Sequence, residues 1–155
     1  MLRIGVISDT HGLLRPEALD FLAGSDFIVH GGDIGNAGIL AQLAAIAPLT
    51  VVRGNNDKGA WAADVPASAL LEVGGVRLYV LHDIADLDAG ALPADVKVVV
   101  YGHSHRPLAQ QRGAVLYLNP GSAGPRRFSL PITAAELLVE GGQVKANIVE
   151  LIPRA

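Results

Sequence analysis

Short apolar runs that stop at polar, glycine-rich turns set the rhythm of the first third of this chain. Ile4–Ser8 is a β-rich run that ends in Asp9-Thr10-His11-Gly12. A helical patch follows, with Pro16 at a first-turn position and Leu19 and Leu22 on one face. Phe27–His30 predicts a second strand, stopped by Gly31-Gly32-Asp33. Ile39 to Ile46 predicts a second helix, with Leu40, Leu43 and Ala47 at helical spacing and Pro48 closing it. Leu49–Val52 is a third strand, ending in Arg53-Gly54-Asn55-Asn56-Asp57. This β-α-β-α-β order predicts a parallel sheet with right-handed crossovers.

The pattern then changes. Ala69–Val73 and Val76–Leu81 flank Gly74-Gly75, a two-residue hairpin signal. Asp83–Leu92 is a weak helix or a loop, and Val96–Tyr101 is a buried strand running into Gly102-His103-Ser104-His105. Leu108–Gln111 and Ala114–Leu118 form a second hairpin around Arg112-Gly113, and Ile132–Val139 and Gln143–Leu151 a third around Gly141-Gly142. Parallel units early and hairpins late predict an α/β fold of two packed sheets with helices outside. No internal repeat, linker or low-complexity stretch divides the chain, so residues 1–155 read as one domain.

Composition narrows the function classes. A chain of 155 residues can bury roughly two-thirds of its unfolded surface. Half its residues are hydrophobic and 17% are charged, which excludes disorder. A net charge of -3 argues against broad nucleic-acid binding, although a small nucleotide remains a fitting ligand. The absence of cysteine rules out disulfides, thiolate metal sites and a cysteine nucleophile. No stretch approaches the ~20 apolar residues of a membrane span, and the apolar N-terminus is cut short by Asp9 and reads as a strand. The expected location is the cytoplasm.

Seven candidate metal ligands punctuate the strand ends: Asp9, His11, Asp33, Asn55, His82, His103 and His105. Imidazoles and carboxylates with one amide suit a pair of divalent cations. Successive clusters lie 21 to 27 residues apart, about one strand-plus-helix unit, so a fold can bring them all to one sheet edge. Ligands of open α/β sheets bind beyond the carboxyl ends of the strands. The alternation in His103-Ser104-His105 puts both imidazoles on one side wherever strand geometry persists; Asp9 and His11 share that spacing. His30, at a strand end, reads as a buried supporting residue, and Asp57 as one that orients a turn or a ligand.

With these clusters in place, the chain resembles the calcineurin-like metallophosphoesterase superfamily. It is most similar to the compact bacterial and archaeal phosphodiesterase branch, which also includes the metallophosphoesterase-like retromer subunit. The late Asn119-Pro120-Gly121-Ser122…Pro125-Arg126 segment matches a signature of that branch. The resemblance implies a four-layer α/β/β/α sandwich with a dinuclear centre. By motif, one ion would be held by Asp9, His11, Asp33 and His105, the other by Asp33, Asn55, His82 and His103, with Asp33 bridging. The implied reaction is in-line attack on phosphorus by a metal-bound hydroxide, with Asp33, Asn55 and His82 central to catalysis and ions ~3.5–4 Å apart. Mn²⁺ is the expected ion, and Fe²⁺, Zn²⁺, Ni²⁺ and Co²⁺ suit the same ligands.

Two positions depart from the family pattern. Asn56 stands where many relatives have a histidine that protonates the leaving oxygen, a contribution typically worth ~10²–10⁴-fold. His82-Asp83-Ile84 replaces the usual His-Gly-His. Arg53 and Arg106 flank ligand motifs and are candidate phosphate contacts, because a guanidinium matches phosphate oxygens bidentately; Arg126 and Arg127 are weaker ones. The expected substrate is a small or nucleotide-like phosphodiester. A phosphomonoesterase and a catalytically weak interaction scaffold are the alternatives, and Ala114–Leu118 leaves room for a homo-oligomer surface.

Overall fold

The computed structural model describes residues 1–153; Arg154 and Ala155, which the sequence reading includes in the domain, lie outside the described residues. Along the chain, β1 (Leu2–Ile7), α1 (Pro16–Leu22), β2 (Phe27–His30), α2 (Ala37–Ala44) and β3 (Leu49–Val51) come first. They are followed by β4 (Ser68–Val73), β5 (Val76–Leu81), β6 (Val96–Val100), β7 (Leu108–Arg112) and β8 (Val115–Asn119). The long hairpin β9 (Ile132–Glu140) and β10 (Gln143–Ile152) completes the set. One sheet has the order β10-β9-β1-β2-β3 and the other β4-β5-β6-β8-β7. In the first, β1, β2 and β3 are parallel; in the second, β5, β6 and β8 are parallel.

Strand alternation builds the sandwich. Ile4 and Val6 of β1 meet Leu78 and Val80 of β5, Val98 and Val100 of β6 and Leu137 and Val139 of β9 in one buried cluster between the sheets. Each such aliphatic residue contributes ~1.5–3 kcal/mol on burial. The opposite face of the first sheet, with Ile7 and Ile28, packs under Leu22, Ile39 and Leu43 of the two helices. Gly5 makes this possible: a Cβ there would stand 2.5 Å from Leu22 Cδ2 and 2.8 Å from Ser25 Oγ.

The expected α/β sandwich is therefore present, with a lighter fourth layer. The outer face of the second sheet, Tyr79, Leu81, Val99 and Tyr117, is covered by Ile84, Leu87 and Leu92 from the segment 83–92. That segment forms two single 3₁₀ turns, because Asp83 and Asp88 accept hydrogen bonds from the backbone N–H groups two residues on and end each turn early. No helix among the described residues is long and apolar enough to cross a membrane.

Candidate metal centre

The carboxyl ends of β1, β2 and β3 from one sheet adjoin those of β5 and β6 from the other. Asp9 and His11 follow β1, Asp33 follows β2, Asn55 follows β3, His82 follows β5, and His103 and His105 follow β6. The ligand set expected at one sheet edge is thus drawn from two facing sheets. Two groups form: Asp9, His11 and His105 in one, Asp33, His82 and His103 in the other, with the candidate ligand atoms of each within 4.8 Å of one another. Asn55 joins the second group, its Oδ1 3.2 Å from His103 Nδ1. Asp33 Oδ2 lies between the groups, 3.3 Å from His82 Nε2 and 3.6 Å from His11 Nε2.

These separations fit cations. His11 Nε2 and His105 Nε2 are 3.2 Å apart, and His105 Nε2 is 3.5 Å from Asp9 Oδ1. Two ligands bonded tetrahedrally at ~2.1 Å to a shared ion stand about 3.4 Å apart. Asp9 Oδ1 and His82 Nε2 face the centre buried without a hydrogen-bond partner, an arrangement that is costly for polar atoms unless a charge satisfies them. His82 Nδ1 lies 2.7 Å from the Gly31 carbonyl oxygen, the kind of contact that fixes a ligating imidazole. The donor chemistry and the geometry both fit a pair of divalent ions.

The electrostatics point the same way. Burial opposes ionisation of Asp33, but His82, the Asn56 backbone N–H and His11 outweigh it and hold its carboxyl well below the usual carboxylate range. Burial equally opposes a charge on His82; the Asp33 carboxylate, the Gly31 carbonyl and Asp9 overcome it and raise its pKa to about 9. The field that retains a proton on His82 is a field that attracts a cation.

The loops are held tightly. Asp9, His11, Asp33, His103 and His105 all have positive φ, between 47° and 70°, a region rare for residues other than glycine. A Cβ on Gly54 would strike Asp33, and one on Gly102 would strike Ser8 and Asp9. Asp57, expected to orient a turn, accepts from the backbone N–H groups of Ile34, Gly35 and Gly54, so it ties the Asp33 loop to the Asn55 loop. Asn56 donates its backbone N–H to Asp33 Oδ1 and its amide to Oδ2. His30 is fully buried; its Nδ1 accepts from the Gly32 N–H and its Nε2 lies 3.0 Å from Thr10 Oγ1, which donates to the Ile34 carbonyl.

Three supporting residues were not singled out in the sequence. Ser8 donates to Asp9 Oδ2 and leaves Oδ1 facing the centre. Asn119 donates to the Gly102 carbonyl and Ser104 Oγ, and Ser122 to the Asp9 carbonyl. The only signal in the sequence was the Asn-Pro-Gly-Ser segment itself. Of the candidate arginines, Arg53 lines a cleft with Asn55 and His82, whereas Arg126 and Arg127 line another with His11 and His105. Arg106 lines neither; its backbone N–H donates to Ser104 Oγ.

A family model described as the calcineurin-like phosphoesterase superfamily domain matches residues 2–142. A probable metallophosphoesterase of Methanothermobacter thermautotrophicus is 32% identical over 94% of this chain and 91% of its own length. The phosphodiesterase YfcE of Escherichia coli is 32% identical over 79% of each chain. Among solved structures, Vps29 of Entamoeba histolytica complexed with Zn²⁺ superposes with a TM-score of 0.72 at 22% identity, covering 97% of this chain and all of that one; it shares the fold. By sequence along nearly its whole length and by architecture, this chain belongs to the calcineurin-like phosphoesterase superfamily.

Proposed function

We propose that this chain is a dinuclear metal-dependent phosphodiesterase acting on a small or nucleotide-like phosphate ester. The observation that carries the reading is the pair of ligand groups sharing Asp33, with buried ligand atoms left for ions. Asp9, His11, Asp33 and His105 would hold one cation and Asp33, Asn55, His82 and His103 the other, with Mn²⁺ the best-suited ion. When bound, two such ions supply Lewis-acid stabilisation of phosphoryl oxygens and lower the pKa of a water toward ~7.

The remaining work falls to the chain's own groups. Arg53, in the cleft beside Asn55 and His82, can pair with a phosphoryl oxygen. Asp57 and Asn56 fix the loops that carry Asp33 and Asn55. Neither Asn56 nor Asp83 offers an imidazole to protonate the leaving oxygen, so turnover should favour good leaving groups. The proposal takes residues 1–155 as one domain acting in the cytoplasm.

Metal-stripped protein should hydrolyse a chromogenic phosphodiester only after Mn²⁺ is restored, and Asn55→Ala and His82→Ala should each lose at least ~10²-fold in kcat/KM. A matched monoester should be the poorer substrate. Protein that binds both ions yet hydrolyses neither ester would defeat the proposal and leave a binding role.

A further inference from the structure

A phosphodiester differs from a monoester in having two organic arms that leave phosphorus in different directions. The metal centre is flanked by clefts on both of its ligand groups. One, of about 410 Å³, opens beside Asn55 and His82 and is walled by Arg53, Tyr79, Asp83 and Asp86. The other, of about 210 Å³, opens beside His11 and His105 and is walled by Pro125, Arg126 and Arg127.

The two clefts differ in charge. The first combines one guanidinium with two carboxylates and an aromatic ring, which suits an aromatic group bearing hydroxyls. The second has two guanidinium groups and no carboxylate in its lining. Its arginines stand on a loop clamped to the centre: Ser122 donates to the Asp9 carbonyl, Gly124 accepts from the Arg15 guanidinium, and a Cβ on Gly124 would collide with the backbone of Asp9 and Thr10. Arg126 is tethered to the Leu130 carbonyl at 3.1 Å. The Arg127 carbonyl accepts from the Leu130 N–H, but its guanidinium, at the same rim, has no hydrogen-bond or ion-pair partner among the described residues and is free to take an anion in fork geometry.

We infer that the substrate is a phosphodiester with unlike arms, an aromatic, hydroxyl-bearing group in the Tyr79 cleft and an arm carrying a second phosphate on Arg126 and Arg127. The inference rests on the phosphodiesterase reading and narrows it. The matched probes are p-nitrophenyl phosphodiesters whose second arm is ethyl, 2-(trimethylammonio)ethyl or 2-phosphoethyl. With Mn²⁺-loaded protein, Kd by calorimetry and kcat/KM by absorbance are measured for all three.

The phosphoethyl ester should be favoured over the ethyl ester by ~10-fold or more, and the trimethylammonioethyl ester should be the weakest. In Arg126→Gln/Arg127→Gln the phosphoethyl-to-ethyl ratio should fall to near one. Metal chelation by the extra phosphate affects both proteins alike and cancels in that comparison. Equal affinities for the ethyl and phosphoethyl esters, or a preference untouched by the double substitution, would overturn the inference even with rapid hydrolysis. A preference that depends on the arginines but comes without turnover would uphold the second-phosphate site on Arg126 and Arg127 while the phosphodiesterase reading falls.

Discussion

The imidazole of His30 is uncharged at neutral pH, because complete burial lowers its pKa to about 4 against the pull of Asp9 and Asp57. Unfolded, the same ring titrates near 6.5. Below pH 6.5 the unfolded chain therefore takes up a proton that the folded one refuses until the pH nears 4. Stability should fall across that window by about 3 kcal/mol and gain nothing above it. Urea titrations from pH 7.5 to 4 should show this slope, and His30→Gln should flatten it; equal slopes in both proteins would exclude His30 as the source. Other supporting residues were harder to foresee. The ligands announced themselves by type and by position after apolar runs. Ser122 and Asn119 act across 113 and 17 residues of chain, so no local pattern ties them to Asp9 or to Gly102.

Elements were legible where turn chemistry and periodicity agreed. Gly74 and Gly75 have φ of 57° and 82°, the two positive values that a tight type I′ hairpin needs, and the flanking strands fall within one residue of expectation. The second hairpin slipped by one position: its turn is Gly113-Ala114 because Gly113, at φ 60°, is the first turn residue and Arg112 stays paired with Val115. The second helix begins at Ala37, two residues early, since Asn36 caps it by accepting from the Ile39 N–H. The contact between α1 and β1 was not legible, because it depends on an absent side chain. Gly5→Ala should push Leu22 and Ser25 away and cost about 1–3 kcal/mol. Chemical denaturation would measure the loss, and a Gly5→Ala/Leu22→Ala pair less unstable than the sum of the single changes would confirm that the clash is the cause.

At the scale of the molecule, the spacing of the clusters made a common edge legible, but not that two sheets would share it. Assembling the site from five loops requires sharp reversals, and five of the seven ligands stand on left-handed backbone. Each such residue stores ~1 kcal/mol or more, at the end of the sandwich that also gathers buried carboxylates. Bound ions stabilise only the folded form, by about 3 kcal/mol per site at a hundredfold excess over Kd. The 44%-exposed side chain of His103 contributes little packing, so His103→Gly should relieve its φ of 70°. The metal-free variant should gain on the order of 1 kcal/mol in denaturation, while the stabilisation added by Mn²⁺ shrinks. A metal-free variant less stable than its parent would show that the backbone there is not strained. The metal centre also bears on lifetime. When metal is scarce, the folded state loses the stabilisation that bound ions add, and the opened population that proteases attack should rise. Cellular abundance of the protein would then follow the supply of its own cofactor, with no separate sensor required.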